Sequence, residues 1–445
     1  MLTRLRSVWS IPDLRNKILF TLAMLLVFRV VAYVPVPGID PKTLNSFLSK
    51  NNSGLNQIFG LLDVFSGGSL QNFSVVALGL YPYITASIVV QLLQPIIPRL
   101  DALSREGEAG RNKIAQIQRI ITVPLTLLQA FGQMAILVQL GAIPATQFNL
   151  FSGQSFLPTF STLITLTAGT MFLVWLGELI TENGIGNGIS LIIFANIMVK
   201  LPQTIGTALV SSTSNGGSVS NGSILQLLFY AGIALLMIYV MVTVYLAQRR
   251  VPVQYPTKRR FLSGVRAGQQ TTYIPLQVNS AGMIPIIFAQ SILLLPTVIS
   301  NFLAYSSDQR VVGVATWFRR LLDVNSVQYW VAFGLLVAAF TFFYATVIFE
   351  QQDLAGTLQK QGAYIPGIRP GPQTRIYLQR ILSRITLGGA IFLGVVAVAP
   401  ALFGTSSIGQ NLQAASLLIV VGVVLDTVKQ LQAQMVMRNY SGFLN

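Results

Sequence analysis

Neither cysteine nor histidine occurs anywhere in the 445 residues. The first absence excludes disulfides, thiolate metal sites and cysteine nucleophiles. The second removes the commonest general base and the commonest metal ligand. Cleavage of peptides within a membrane by a histidine-dependent serine or metal centre is thereby excluded. Charge is scarce as well: 9% of the residues are Asp, Glu, Lys or Arg, against about a quarter in an ordinary soluble domain. No G-x-x-x-x-G-K-[ST] run is present, so the chain offers no P-loop for a nucleotide. What is plentiful is apolar surface, at 53% of residues. The chain reads as a polytopic, helical, all-α membrane protein with no cofactor and no enzymatic chemistry.

Ten apolar stretches are long enough to cross a bilayer. They cover about 18–34, 75–94, 114–140, 158–180, 186–207, 223–247, 275–297, 327–349, 381–404 and 410–432. Ahead of them, Met1–Lys17 carries Arg4, Arg6, Arg15 and Lys17 around Trp9, the pattern of an interfacial amphipathic helix. Ile18–Val34 runs into Pro35-Val36-Pro37-Gly38 without a small-residue cleavage pattern, so it is expected to be a retained span rather than a signal peptide. Pro98–Lys113 is expected to be a charged loop, Thr181–Ile185 a tight turn, and 247–274 and 350–380 long polar loops.

The net charge of +16 is unevenly placed. Of the 29 Lys and Arg, 22 lie in five groups: up to Lys17, Arg99 to Arg119, Arg249 to Arg266, Lys360 to Arg384, and Lys429 with Arg438. The other face holds Lys42, Lys50, Arg310, Arg319 and Arg320. The positive-inside rule then puts both termini in the cytoplasm. Arg29, Glu178, Lys200 and Asp426 fall within or at the ends of spans, where such residues either mark an ion pathway or snorkel and cap helices. Snorkelling is the expectation here, because none is central.

Three features exceed what a generic transporter needs. Residues 65–94, FSGGSLQNFSVVALGLYPYITASIVVQLLQ, join a short polar glycine-containing piece to an apolar helix expected over Val75–Gln94. Irregular backbone at membrane depth survives only where protein or a water-filled cavity satisfies it. Next, Ile84 and Ile88 repeat as Ile189 and Ile193, each pair four apart and so on one helix face. Stiff β-branched side chains suit a constriction that excludes water, although isoleucine is abundant here and, on spacing alone, ordinary helix packing is the better account. Last come two basic loops. One carries Arg249, Arg250, Lys258, Arg259, Arg260 and Arg266; the other carries Lys360, Arg369, Arg375 and Arg380 around several Pro and Gly. They either dock an anionic partner such as RNA or an acidic protein, or merely set topology.

Five segments make the chain resemble the SecY/Sec61-alpha family, the central subunits of Sec protein translocation channels. They are the 65–94 stretch, LGELITENGIGNGISLIIFANI (176–197), NSAGMIPIIFAQSILLLP (279–296), GAYIPGIRPGPQT (362–374) and SLLIVVGVVLDTVKQ (416–430). The resemblance implies two inverted, pseudo-symmetric halves of five spans, 1–207 and 223–445, hinged through 208–222. It implies a pore ring of Ile84, Ile88, Ile189, Ile193, Ile287 and Ile419. It also implies a half-helix plug over 65–74: Phe65, Ser66, Gly67, Gly68, Ser69, Leu70, Gln71, Asn72 and Phe73, followed by Ser74. Spans two and seven would form a lateral gate lined by Thr85, Gln91, Asn279 and Gln290, residues that plain interhelical hydrogen bonding also suits.

The implied partners are SecE, SecG, the SecA ATPase, the ribosome through its rRNA, signal sequences and nascent chains, and bilayer lipid. The two basic loops would touch ribosome and SecA, with Arg369 the critical contact and Arg375 beside it. The implied location is a bacterial plasma (inner) membrane or a thylakoid. Outside this family, a secondary transporter with broken helices would need a polar midplane site, which the spans barely offer. A ribosome-docking scaffold would leave the isoleucines and the plug without a role.

Overall fold

A computed structural model gives the fold. It describes residues 11–37, 66–70, 72–139, 156–213, 221–255, 271–282, 284–303, 312–313, 316–317, 321, 326–402 and 414–441. The helices are α1 (Pro12–Val31), α2 (Tyr81–Leu93), α3 (Pro98–Arg105), α4 (Glu108–Gln139), α5 (Phe156–Asn183), α6 (Gly188–Thr213) and α7 (Asn221–Leu246). Strands β1 (Gln248–Gln254) and β2 (Thr271–Gln277) follow. The chain then continues through α8 (Ile284–Leu303), α9 (Val327–Gln352), α10 (Leu354–Lys360), α11 (Pro372–Leu402) and α12 (Ala414–Ser441). Proline stands in the first turn of α1, α2 and α3, where its missing N–H costs no hydrogen bond. Pro124, Pro202 and Pro296 lie inside α4, α6 and α8, positions that spans tolerate when neighbours satisfy the freed carbonyls.

Among the described residues, α4, α5, α9, α11 and α12 are long and apolar enough to cross a membrane. A sixth span results if α2 and α3, bent by 103° at their junction, count as one. Parts of α6, α7 and α8 form shorter apolar helices. Several spans are therefore present, and the count of ten stays an expectation.

The chain divides into two compact units. The first comprises Met1–Ile224, Ser291–Tyr329 and Ile419–Asn445. Within it α2 packs on α4, α4 on α5, α5 on α6, and α1 on both α5 and α6. Its core joins Val36, Leu70, Phe73 and Ala77 to Ala130, Met134 and Leu137 of α4 and Leu163 and Leu166 of α5. The second comprises Leu225–Gln290 and Trp330–Leu418. There Phe288 of α8 meets Phe340 and Tyr344 of α9 edge-on, at 6.1 and 5.9 Å between ring centroids, the arrangement aromatic quadrupoles favour.

Four expectations need correction. Within the helical architecture, the polar loop expected over 247–274 carries an antiparallel hairpin, β1 pairing β2 from Gln248↔Gln277 to Gln254↔Thr271. The helix expected over Val75–Gln94 begins only at Tyr81. Residues 75–80 turn instead, because Ser74 is held in a bridge to Pro35 and Gly79 takes φ +58°. The plug segment is likewise turned rather than half-helical over 67–70 and 72–73. The charged loop 98–113 is mostly helical, as α3 and the start of α4. In addition, the hinge segment 208–222 is helical over 208–213 and from 221 onward, while 214–220 lie outside the described residues.

Candidate functional site

The segment expected to be the plug is described over residues 66–70 and 72–74. Ser66 and Ser69 are buried yet bonded within the turn, whereas the buried Ser74 Oγ has no hydrogen-bond partner among the described residues. Ser69 Oγ donates to the carbonyls of Ser66 and, at 3.2 Å, Val76, while the Leu70 amide donates to Ser66 Oγ at 3.2 Å. Leu70 and Phe73 enter the first unit's core. Phe73 sits at φ +41°, a conformation that a bulky residue keeps only when its surroundings hold it there. Two hydrogen bonds tie the segment's end to the chain after α1: Val36 N–H to Phe73 O at 3.0 Å and Val75 N–H to Val34 O at 2.9 Å.

From α1, Arg29 Nη1 donates to the Gly67 carbonyl at 2.8 Å. Its other arm donates to Tyr33 Oη at 3.0 Å, with the guanidinium 4.8 Å from the Tyr33 ring centre. Gly67 has φ +67°, and a Cβ there would collide with the Asn196 side chain of α6. The segment is thus seated between α1 and α6. Phe65 and Gln71 lie outside the described residues. Arg29 does more than snorkel. Glu178 also has a specific partner, Arg119 of α4, with Nε–Oε1 at 2.9 Å.

Of the six isoleucines, Ile88 on α2, Ile193 on α6 and Ile419 on α12 are buried in the first unit, where Ile84 and Ile189 are partly exposed. Ile287 on α8 is buried in the second unit. The four-residue spacing of each pair places Ile84 with Ile88, and Ile189 with Ile193, on single helix faces as expected.

The polar residues assigned to the gate are buried or nearly so. Thr85 Oγ1 donates back to the Tyr81 carbonyl at 3.0 Å, and Gln91 Nε2 donates to Ser87 Oγ at 3.2 Å. Asn279 Nδ2 donates to the Gly282 carbonyl at 3.1 Å. The Oε1 of Gln91, the Oδ1 of Asn279 and the Oε1 of Gln290 are buried without a hydrogen-bond partner among the described residues. Sequence reasoning missed Tyr81, whose hydroxyl donates 3.1 Å to the Ser291 carbonyl and so joins α2 to α8 directly.

The basic loops of the second unit form one body. Gln254 at the end of β1 exchanges backbone hydrogen bonds of 2.9 and 3.0 Å with Tyr364. Beneath them Val251, Val253, Leu276, Phe349, Leu358, Ile365 and Leu378 make a small core. Arg249 and Arg250 lie exposed on β1. Arg369 is exposed at the tip of the PGIRPG turn; the Ile368 amide bonds Ile365 O at 3.0 Å, and Thr374 Oγ1 donates to Arg369 O at 2.9 Å. Arg375 is partly engaged by Glu350 at 3.6 Å. Lys258, Arg259 and Arg260 lie outside the described residues.

The profile of the SecY family matches residues 74–428. The chain belongs to the SecY family. The protein translocase subunit SecY of Streptomyces galbus is 40% identical over 453 residues, with both chains covered completely. That of Mycobacterium tuberculosis (strain H37Rv) is 40% identical over 455 residues, again over the whole of both. Among solved structures, the fold is similar to a protein-conducting channel, with TM-score 0.63, 16% identity, and 95% of this chain and 93% of that one covered. It is also similar to a SecY whose plug domain stabilises the closed state, with TM-score 0.60 at 16% identity, covering 95% and 92%. Membership of the SecY family makes the chain a channel subunit and not an enzyme.

Proposed function

We propose that this SecY-family chain conducts unfolded secretory polypeptides across a bacterial plasma membrane and releases apolar segments sideways into lipid. The observation that carries the reading is the plug segment: turned, polar chain seated in an apolar helical unit and held by hydrogen bonds at Ser66, Ser69, Leu70, Phe73 and Ser74. Such backbone belongs at membrane depth only beside protein or a water-filled cavity.

At rest, the six isoleucines and the plug seal the pore, because apolar side chains offer nothing to replace an ion's hydration shell. A signal sequence or transmembrane segment then competes at the lateral gate, gaining about 25 cal/mol per Å² of apolar surface withdrawn from water. The buried polar oxygens of Gln91, Asn279 and Gln290 favour exchange, since hydrogen bonds unmade in the closed state become available to an incoming backbone or to water. Lacking a P-loop, the chain takes its driving force from a bound ribosome or SecA, recognised by Arg249, Arg250 and Arg369 on the basic face. SecE would clamp the two inverted halves and SecG would bind peripherally. Both termini face the cytoplasm.

The test is a photoreactive residue at Ile84 or Ile287 facing a stalled secretory chain, with all partners present. A cross-link to the nascent polypeptide is the expected result. Its absence in a correctly inserted protein would overturn conduction through this ring.

A further inference from the structure

We propose that Arg29 is a positioning residue for the plug, a cationic clasp whose release accompanies channel opening; this rests on the plug reading above. Composition gives Arg29 a bland role, as a basic residue in the last turn of α1 favoured by the helix dipole. The geometry assigns it more. The guanidinium reaches across 38 residues of sequence to the Gly67 carbonyl at 2.8 Å. Its second nitrogen is fixed by the Tyr33 hydroxyl at 3.0 Å, and its Cζ lies over the Tyr33 ring, 4.8 Å from the ring centre. A planar fork that bonds two acceptors and stacks on an aromatic is a task for arginine that lysine cannot repeat.

The acceptor is well chosen for a reversible contact. The Gly67 carbonyl belongs to a turned segment, where no helical ladder competes for it. Gly67 itself is pressed against Asn196 on its other side, so the plug has one seat and Arg29 closes it. A part-buried carbonyl–guanidinium bond holds while its surroundings exclude water, but it offers no second charge to hold it once a polypeptide and more water arrive. Hydration of the vestibule therefore weakens the clasp at the moment when the plug must leave.

The test compares the intact channel with one lacking residues 66–73, both in membrane vesicles with all partner subunits. The readouts are resting ion conductance and export of a substrate with a defective signal sequence. Arg29→Gln should raise the resting open population about tenfold, the size expected for loss of one hydrogen bond to a charged group. In the deletion background the same substitution should add nothing, because the two changes remove one interaction. Arg29→Lys, which keeps charge but loses the fork, should also leak and covers the case in which Gln prevents accumulation. A sealed, inserted Gln or Lys variant would overturn the clasp alone. An equal increase with and without the plug would overturn it too, revealing a general packing role. If the deletion leaves the channel sealed, the plug reading falls and the clasp with it.

Discussion

At the scale of single residues, the proposed seal rests on a few tightly placed residues. Gly67 combines a left-handed backbone with a face pressed on Asn196. Gly67→Ala should therefore displace the plug, costing about 1 kcal/mol from the backbone alone and more from the collision. Resting conductance in planar bilayers would rise; an unchanged seal would show that the segment shifts without leaving its seat. Ile419 has no exposed surface, so Ile419→Asn buries an amide in an apolar site at about 1–3 kcal/mol on mutational scales. If the isoleucines close the pore, this change should both loosen it and let weaker signal sequences through. A variant that lost stability but kept a tight pore would mean that Ile419 is ordinary core. Arg29 was visible in the sequence as a charge inside a span, but its partner was not. An arginine at a helix end looks the same whether it snorkels or reaches a carbonyl 38 residues away.

At the scale of elements, hydropathy located α5, α7 and α9 closely because long apolar helices in lipid must satisfy their own backbone. It misplaced the start of α2, because apolar residues 75–80 score alike in helix or turn. The β1–β2 hairpin went unread for a different reason. Pro252 and Pro275 interrupt strands already crowded with polar residues, and proline argues against strand in any local reading. Its stability comes instead from Val251 and Val253 packing with Ile365 and Leu378, and from the Gln254–Tyr364 bridge, contacts invisible to local pattern.

Two predictions belong to this scale. Tyr81→Phe removes the one hydroxyl that joins α2 to the Ser291 carbonyl of α8. Pro296 offers no N–H to the carbonyl of Ile292, the neighbour of Ser291 in α8. Loss of the bond, about 0.5–1.5 kcal/mol, should raise insertion of a marginally apolar segment severalfold, measured by its lateral release into lipid. Unaltered release would assign Tyr81 to packing. In the second unit, Arg369→Glu should abolish SecA-driven export while the protein stays inserted. Thr374→Val, which frees the backbone behind Arg369, should weaken export only in part. Normal export by the glutamate variant would remove Arg369 from the contact.

For the whole molecule, the uneven distribution of cations makes a claim that the chain's own composition renders easy to test. Since no cysteine occurs in the sequence, any single cysteine introduced is the only thiol to be labelled. Orientation by the positive-inside rule counts Lys and Arg near span ends, and 22 of 29 fall on one side of the expected topology. A cysteine at Thr357, in the basic loop between α9 and α11, should be shielded from an impermeant maleimide in intact cells and reactive once the membrane is opened. One at Thr146, within the stretch 141–157 that holds neither Lys nor Arg, should react from outside. Bound ribosomes should protect the first cysteine and leave the second untouched, and added salt should undo that protection as screening shortens the reach of the basic face to about 8 Å or less. Reversed labelling would invert the topology. The basic loops would then lie opposite any cytoplasmic partner, and docking by Arg249, Arg250 and Arg369 would be untenable whatever the pore conducts.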